Sequence, residues 1–362
     1  MKKLLIVTGE LSGSIYGERI AGELSPYVKL YGVLHREVKG VERIYDSKRI
    51  TAFGLFEALR KLPRIVKAKG LIADFLEREK PDAVLLIDFP GFNLKVAAEA
   101  KKRGIKVFYF IPPKLWAWGE GRVKKLKELV DRLFVIFPFE VDFYRRFGIE
   151  ATFVGNPLFE IARPKLRKEE FFGKTGLKEP LYALLPGSRE SEVNYLLEPL
   201  LETARGLKGE KAIPVASTVN FERVKRLRDK LNPQVALLKE EVRYELMAYA
   251  ELGVIASGTA SLEAALLNLP HVVVYRLNPL TYFIAKRVVK TEFVSLPNII
   301  AGREVIPELL QERVNPKEIL RAFDGLEKRR KEIKEALKTE VAGKLEGNCF
   351  KRLSEEILEE LS

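Results

Sequence analysis

The sequence predicts an α/β protein made of two doubly wound parallel-sheet domains followed by C-terminal helices. Apolar, β-branched runs alternate with amphipathic helical stretches, which is typical of parallel strands joined by helical crossovers. The 362 residues also exceed what a single hydrophobic core usually holds. The alternation breaks once, across residues 157–176, and then resumes. A first and a second sheet are therefore expected on either side of that break.

The strand-like runs fall into two series. The first contains KLLIVT, YVKLYGV, AVLLID, IKVFYFI and LFVIF, and the second contains LYALLP, AIPVAS, VALLK, LGVIA and HVVVY. From Asn315 onward only charged, amphipathic helical sequence follows. We place a first domain at 1–163, a second at 164–325 and terminal helices at 326–362, which either cross back to the first domain or pair with a second subunit as a homodimer. Ligands of such sheets bind beyond the carboxyl ends of the strands, so functional residues are expected just after strands.

Composition limits the partners and the compartment. A net charge of +13 favours anionic partners, namely nucleic acid, phosphorylated metabolites or an acidic membrane surface, although a lysine-rich surface also serves solubility. No helix-turn-helix, zinc or RNA-recognition motif is present, so nucleic acid is not predicted. Cys349 is the single cysteine, which excludes a disulfide framework. No apolar run approaches the roughly 18 residues of a membrane helix, and polar residues interrupt the opening one, so a cytoplasmic protein is expected.

The stretch LLPGSRESEV places an arginine where a helix should begin. A cation is unfavourable beside the positive end of the helix dipole, unless an anion is bound there. Amides of the loop around Gly187 and Ser188 can hold phosphate oxygens, and Arg189 would then face a diphosphate. The alternative is that Arg189 turns to the surface or pairs with Glu192.

A second strand-loop-helix stretch, SGTASLE, predicts another anion cradle. With Thr259 as N-cap, the capping-box position would be Leu262, so Glu263 stands one place too late for that role. Glu263 either accepts hydrogen bonds from ribose hydroxyls or merely favours the helix dipole. The cradle itself is formed by Ser257, Gly258, Thr259 and Ala260.

Asp88 ends a strand in VLLIDFPGFN and is flanked by apolar residues. Partial desolvation would raise the pKa of its carboxyl and suit a general base. The alternative is an aspartate that only accepts bonds from turn N–H groups. Asn93 is predicted to cap the helix that follows.

Two further loops offer sugar-binding residues. TGELSG follows the first strand but matches neither a dinucleotide-binding nor a Walker A motif, so it predicts only a glycine-lined floor for a sugar. IPPKLWAWGEGR holds both tryptophans, which either pack in the core or stack on a sugar beside an arginine that meets a phosphate. The candidate residues are Gly9, Glu10, Ser12, Gly13, Trp118 and Arg122.

Residues 52–72 carry an apolar stripe at helical spacing among basic residues, with Pro63 predicted to start a second short helix. A basic amphipathic helix indicates a membrane surface, but an apolar stripe at this period more often faces a core, so this stretch alone leaves both alternatives open. The stripe consists of Leu55, Phe56, Leu59, Leu62 and Val66.

The ordered motifs TGELSG, DFPGFN, PPKLWAWGEGR, FPFE, VGNPL, LLPGSRESE, SGTASLEAAL, SLPN and IPELLQ together resemble lipid-A-disaccharide synthase of Gram-negative bacteria. The resemblance implies an inverting glycosyltransferase of GT-B architecture, with a cleft between two Rossmann-like domains, no metal and no cofactor. Its donor would be UDP-2,3-diacylglucosamine and its acceptor 2,3-diacylglucosamine 1-phosphate (lipid X). The products would be UDP and a β-1,6-linked disaccharide 1-phosphate.

The resemblance also assigns roles to residues. UDP would bind the loops at 187–189 and 257–263, with Asn298 and Gln311 added. Asp88 would be the base for the acceptor's 6-hydroxyl, and Arg189 would neutralise the departing diphosphate. Residues 52–72 would dock the protein peripherally on the cytoplasmic face of the inner membrane.

Two positions depart from the family pattern. Ser14 stands where the family usually has aspartate, and Asn156 stands where histidine is common. A catalytic role for either position therefore does not carry over. The rival functions are another UDP-sugar enzyme, such as a UDP-N-acetylglucosamine 2-epimerase, and a non-enzymatic nucleotide-binding protein of the membrane surface.

Overall fold

A computed structural model of the chain describes residues 1–9, 11–51, 55–288 and 291–362. Within these ranges it describes the backbone alone at positions 11, 55–60, 118, 120, 280, 284–286 and 288. Some predicted site residues therefore lie outside the described part: Glu10 entirely, and the side chains of Leu55, Phe56, Leu59 and Trp118.

The chain forms two compact units. Unit 1 contains residues 1–157 and 347–362, and unit 2 contains residues 158–346. Residues 326–346 of the predicted terminal helices thus belong to unit 2, and the last helix belongs to unit 1. Each unit is built on one parallel sheet covered by helices.

Unit 1 has a seven-stranded parallel sheet in the order β3-β2-β1-β4-β5-β6-β7. The strand order reverses between β1 and β4, where doubly wound sheets usually bind their ligands. Thr8 at the end of β1 pairs with Ile87 at the end of β4, so the loops after these strands are neighbours. The strands are β1 (Lys3–Thr8), β2 (Lys29–Leu34), β3 (Val41–Asp46), β4 (Ala83–Ile87), β5 (Lys106–Phe110), β6 (Arg132–Val135) and β7 (Ala151–Phe153).

The helices of unit 1 cover both faces of this sheet. Pro63 lies inside one continuous helix, so the prediction that it starts a second helix was wrong. A proline inside a helix removes one backbone bond, and burial of Ile72, Phe75 and Leu76 in the core outweighs that loss. The helices are α1 (Leu11–Leu24), α2 (Leu55–Glu79), α3 (Pro90–Lys101), α4 (Leu115–Trp118), α5 (Val123–Leu129) and α6 (Pro138–Arg145).

Unit 2 has a six-stranded parallel sheet in the order β10-β9-β8-β11-β12-β13, which reverses between β8 and β11. The strands are β8 (Leu181–Leu185), β9 (Glu210–Val215), β10 (Ala236–Lys239), β11 (Leu252–Ala256), β12 (His271–Tyr275) and β13 (Glu308–Leu310). The helices are α7 (Pro157–Ile161), which begins at the last residue of the first segment of unit 1, then α8 (Lys168–Thr175), α9 (Glu190–Thr203), α10 (Phe221–Leu231), α11 (Arg243–Tyr249), α12 (Thr259–Leu266), α13 (Pro279–Val288), α14 (Leu296–Ala301), α15 (Pro316–Lys328), α16 (Arg330–Ala336), a π-helical turn (Leu337–Ala342) and α17 (Gly343–Leu345).

The last helix, α18 (Cys349–Leu361), packs on α1 within unit 1. The rings of Tyr16 and Phe350 lie 6.0 Å apart, centroid to centroid. Leu353 and Ile357 are fully buried. The helix is therefore an integral part of the first unit. Across the described residues, none of the helices has the length and apolarity needed to cross a membrane.

Candidate functional site

The turn after β4 holds Asp88 in a strained conformation. Asp88 and Phe89 have φ angles of 48° and 51°, in the left-handed region, where a non-glycine residue costs about 1–3 kcal/mol. Three bonds hold the turn: the Asp88 N–H donates to the carbonyl of Phe110 (3.0 Å), and the Asp88 carbonyl accepts from the Tyr109 hydroxyl (2.9 Å) and the Asn93 amide (2.7 Å). This arrangement fixes where the Asp88 carboxylate points. Strain of this kind is often found at active sites.

The electrostatic environment of Asp88 suits proton acceptance. Its side chain reaches solvent, yet surrounding protein atoms desolvate the carboxyl and raise its pKa. The Phe89 N–H and the charge of Lys114 act in the opposite direction and lower the pKa. The net direction is the one expected from the apolar flanks of Asp88 in the sequence.

Asn93 supports this turn from within a helix. It was predicted as a cap, but α3 begins at Pro90 with Phe89 in the N-cap position, so that prediction was wrong. The Asn93 side chain is buried and donates to the carbonyls of Ile87 (3.2 Å) and Asp88 (2.7 Å). Its duty is to satisfy carbonyl groups that a left-handed turn leaves without a sheet partner.

The loop after β1 lies against the same turn. A Cβ atom on Gly9 would come within 2.1 Å of the Phe89 ring, so only glycine fits there. Gly13 is buried, and a Cβ atom at this position would lie 3.1 Å from the Cβ of Thr8. Ser12 is exposed on α1. Gly9 therefore brings the backbone of this loop close to the Asp88 turn, at the point where the strand order of the sheet reverses.

The two positions that depart from the family pattern are both buried. The Ser14 hydroxyl lies 3.1 Å from the Thr8 hydroxyl and accepts from the His35 N–H at 2.7 Å, which ties the end of β1 to the end of β2. Asn156 is fully buried and donates to the carbonyl of Ile136 (3.2 Å). In this chain both residues join backbone segments.

Sequence reasoning missed Glu140, which anchors the loop at residues 111–122. Only 2% of Glu140 is exposed, and one carboxylate oxygen accepts from the N–H groups of Ile136 (3.2 Å) and Phe137 (3.1 Å). The other accepts from the indole N–H of Trp116 (3.1 Å). Burial raises the pKa of Glu140 to about 7. The signal was available, because FPFE places proline and glutamate at the first and third positions of a helix that follows a strand. Arg122, further along this loop, is exposed.

In unit 2, a carboxylate of helix α9 accepts hydrogen bonds from the loop that follows β8. Arg189 occupies the N-cap of α9; its side chain is 72% exposed and lies 3.3 Å from Glu192. Glu192 also accepts from the N–H groups of Ser188 (3.0 Å) and Arg189 (3.2 Å). A Cβ on Gly187 would come within 2.4 Å of the same carboxylate. The pairing with Glu192 is the alternative that the sequence left open, and a bound diphosphate would compete with Glu192 for these amides.

The loop after β11 opens α12 with a glycine. Gly258 has φ 144° and is the N-cap, one residue before the Thr259 that the capping-box comparison assumed. Glycine takes the position because an L side chain rarely adopts that φ. Gly258 and Thr259 are exposed and Ala260 is half-buried, whereas the Ser257 hydroxyl donates to the carbonyl of Val294 (3.1 Å).

Glu263 has no capping role and lies at the centre of a polar cluster. It is 6% exposed and accepts from the Tyr244 hydroxyl (2.8 Å) and from the Arg243 guanidinium (3.4 Å). The guanidinium of Arg243 lies 4.2 Å from the centroid of the Tyr244 ring. These two side chains of α11 hold the carboxylate in place, and the sequence had not singled them out.

Asn298 and Gln311 use their amide groups within the protein. Asn298 is fully buried and accepts from the N–H groups of Val305 (2.8 Å) and Ile306 (3.1 Å). Gln311 has φ 52°, and its amide both accepts from the Leu277 N–H (2.8 Å) and donates to the Leu277 carbonyl (3.2 Å). Both residues shape the loops beside the end of the sheet.

The structure brings together the two loops predicted to bind the diphosphate. Leu185 of β8 pairs with Ile255 of β11, and the strands are parallel, so the loops that follow them share one edge of the sheet. Burial is the main cause that raises the pKa of Tyr275, at the end of the next strand. The charge of Glu192 raises this pKa further and that of Arg189 lowers it, so both residues lie near the Tyr275 hydroxyl. Within the described ranges, no group of three or more acidic, histidine or cysteine side chains is placed to hold a metal ion.

These features define a class. Two Rossmann-like units, each with the predicted site loops at the point where the strand order of its sheet reverses, form the GT-B fold, which confirms the predicted fold class. UDP-GlcNAc 2-epimerase from Neisseria meningitidis, solved with UDP-GlcNAc, has a TM-score of 0.65 at 16% identity, covering 99% of this chain and 100% of that one. MurG from Acinetobacter baumannii has a TM-score of 0.60 at 14% identity, again covering 99% and 100%. At these identities the likeness concerns the fold alone.

Sequence comparison gives the particular family. The Lipid-A-disaccharide synthetase family matches residues 4–361. The lipid-A-disaccharide synthase of Syntrophus aciditrophicus is 38% identical over 351 residues, which cover 93% of this chain and 92% of that protein. The chain belongs to this family. Its members are glycosyltransferases, so the predicted enzyme class is confirmed and the epimerase and non-enzymatic functions are not favoured.

Proposed function

We propose that the chain transfers the diacylglucosamine unit of UDP-2,3-diacylglucosamine to the 6-hydroxyl of 2,3-diacylglucosamine 1-phosphate. The observation that carries the proposal is the family match across residues 4–361. In the reaction, the O6–H bond of the acceptor breaks, O6 bonds to the anomeric carbon of the donor, and the bond from that carbon to UDP breaks. Attack opposite the leaving group inverts the anomeric centre and gives a β-1,6 linkage.

Asp88 accepts the proton from the 6-hydroxyl. The strained turn, held through Tyr109 and Asn93, orients its side chain, and desolvation raises its pKa and makes it a stronger base than an ordinary aspartate. The adjoining loop around Gly9 supplies backbone close to the acceptor sugar. The acceptor site thus lies in unit 1, beyond the ends of β1 and β4.

The donor's UDP binds unit 2 at the loops after β8 and β11. The exposed guanidinium of Arg189 and the first-turn amides of α9 and α12 stabilise the negative charge that develops on the departing diphosphate. Arg189 exchanges its pairing with Glu192 for the diphosphate. Glu263, held by Tyr244 and Arg243, accepts hydrogen bonds from the ribose hydroxyls.

The protein docks peripherally on the inner face of the cytoplasmic membrane through α2. Leu62 and Val66 are 49% and 63% exposed and lie four residues apart, on one face of the helix. Arg64, between them, and Lys67, next to Val66, are also exposed, so apolar and cationic groups share one segment. This combination suits an anionic lipid surface. It also brings the active site to acylated substrates that reside in that leaflet.

The primary test is incubation with both substrates, followed by mass spectrometry for the disaccharide 1-phosphate and UDP. Donor without acyl chains should react poorly, and UDP-N-acetylglucosamine should not be epimerised at C2. Release of epimer in place of disaccharide would reject the proposed function.

Variants test the two catalytic residues. Asp88→Ala and Arg189→Ala should each reduce kcat by about 100- to 1,000-fold or more, the usual effect of losing a base or an electrostatic stabiliser. Glu128→Ala, an exposed change on α5, is the matched control and should keep the normal rate. A near-normal rate in either catalytic variant would contradict the role given to that residue.

Liposome co-sedimentation tests the docking helix. Leu62→Ser/Val66→Ser should bind vesicles containing anionic lipid less tightly than the unaltered chain, and Leu55→Ser/Phe56→Ser/Leu59→Ser extends the test along the same stripe. Phe221→Ser removes a 46% exposed aromatic side chain from unit 2 and serves as control. Undiminished binding of both stripe variants would reject docking through α2.

A further inference from the structure

Lys114 lies on a loop that the protein holds at several points. The loop leaves β5 at Ile111, whose N–H donates to the carbonyl of Phe134 (3.1 Å). The carbonyl of Pro113, immediately before Lys114, accepts from the buried Tyr144 hydroxyl (3.2 Å). Two residues after Lys114, the indole of Trp116 is bound by Glu140. The backbone at Lys114 is therefore fixed on both sides, while its side chain is exposed.

This loop and the Asp88 turn share one edge of the sheet. Phe110, the last residue of β5, pairs with Ile87, the last residue of β4. The Asp88 N–H donates to the carbonyl of Phe110, and the neighbouring Tyr109 hydroxyl donates back to the carbonyl of Asp88. Lys114, four residues after Phe110, therefore follows the strand end next to the one that carries Asp88.

A cation at this position is unfavourable for a base unless it has an anion to bind. The charge of Lys114 lowers the pKa of Asp88, so it weakens Asp88 as a proton acceptor in the empty site. An anion bound to Lys114 would offset that effect. The acceptor in the proposed reaction carries such an anion, because its anomeric phosphate is attached to the same sugar ring as its reacting 6-hydroxyl.

We propose that Lys114 binds the anomeric phosphate of the acceptor and so selects a sugar 1-phosphate over an uncharged sugar. This rests on the proposed function, since it names the group that recognises the acceptor at the same site. Anchoring through Tyr144 and Glu140 fixes the backbone from which the Lys114 side chain extends. The acceptor phosphate, once bound, both positions the 6-hydroxyl and removes the influence of a free cation on the base.

A binding experiment tests this without requiring turnover. The full-length chain and Lys114→Met are titrated with N-acetylglucosamine 1-phosphate and with N-acetylglucosamine, and Kd is measured by calorimetry. The substitution should weaken binding of N-acetylglucosamine 1-phosphate by about 10-fold, in keeping with loss of one charge-assisted bond, and leave the Kd of N-acetylglucosamine unchanged. Lys125→Met, an exposed change on α5, is the matched control and should alter neither.

Kinetics give the second readout. Lys114→Met should raise KM for the acceptor 1-phosphate by about 10-fold while KM for the donor stays constant. Equal Kd values for N-acetylglucosamine 1-phosphate in the unaltered chain and Lys114→Met would overturn the proposal, as would an equal loss of affinity for both ligands. Loss of phosphate affinity in Arg122→Met in place of Lys114→Met would also overturn it. If the binding difference is found but no disaccharide forms, the proposed function fails and the phosphate site stands.

Discussion

Replacing Glu140 by glutamine should change how the stability of unit 1 depends on pH. The carboxyl is almost fully buried, and burial raises its pKa from an ordinary 4.5 to about 7. Between these values the folded protein retains a proton that the unfolded chain has released. The free energy of unfolding therefore falls as the pH rises from 4.5 to 7. The stabilisation that comes from protonated Glu140 is fully present only below pH 4.5.

The size of the effect follows from the shift. A difference of about 2.5 pKa units corresponds to about 3 kcal/mol, and most of it, about 2.5 kcal/mol, lies between pH 5 and pH 8. Glu140→Gln cannot ionise. Its amide oxygen can still accept from the N–H groups of Ile136 and Phe137, but its NH2 group cannot accept from the Trp116 indole, so the variant loses one hydrogen bond at every pH. The variant should therefore be less stable than the unaltered chain at pH 5, and the difference should shift in its favour by about 2.5 kcal/mol by pH 8.

Urea unfolding followed by tryptophan fluorescence measures this effect selectively. Both tryptophans, Trp116 and Trp118, belong to unit 1, so the signal reports that unit. Glu128→Gln, on an exposed position of α5, should follow the unaltered chain at every pH. A difference between Glu140→Gln and the unaltered chain that stays constant from pH 5 to pH 8 would refute the argument that Glu140 titrates in the folded state.

Three further predictions concern single side chains. His271 is fully buried, and burial lowers its pKa to about 4, so the free energy of unfolding should fall by about 3 kcal/mol as the pH drops from 6.5 to 4. His271→Leu should abolish this loss of stability, as measured by amide hydrogen exchange of unit 2. Asn298→Ala should destabilise unit 2 by about 3 kcal/mol, because two buried N–H groups lose their acceptor; an unchanged exchange rate would contradict this. Tyr109→Phe removes a bond to the Asp88 carbonyl and should lower kcat about 10-fold with little change in KM, whereas a rise in KM alone would place Tyr109 in binding.

The sequence predicts the two-sheet fold and the strand ends at which the candidate site loops begin, because strand and helix periodicity are local properties. It does not predict how a side chain bonds to backbone that is distant in space. Asn93 supports the strand end instead of capping a helix, and Glu192 occupies amides that were expected to be open. The partners of Glu263 come from α11, which a motif search along the loop after β11 does not reach. The prediction that Pro63 starts a new helix failed because burial of α2 in the core outweighs the low helix propensity of proline.

The packing of α18 on α1 affects the order in which the units can be completed during synthesis. All residues of unit 2 precede Gly347, whereas unit 1 needs residues 347–362 to cover α1. The ribosome therefore synthesises the whole of unit 2 before it makes this last part of unit 1. The segment of the protein that is translated first thus depends on a helix made after unit 2, and until α18 packs on α1 that helix does not cover the surface around Tyr16.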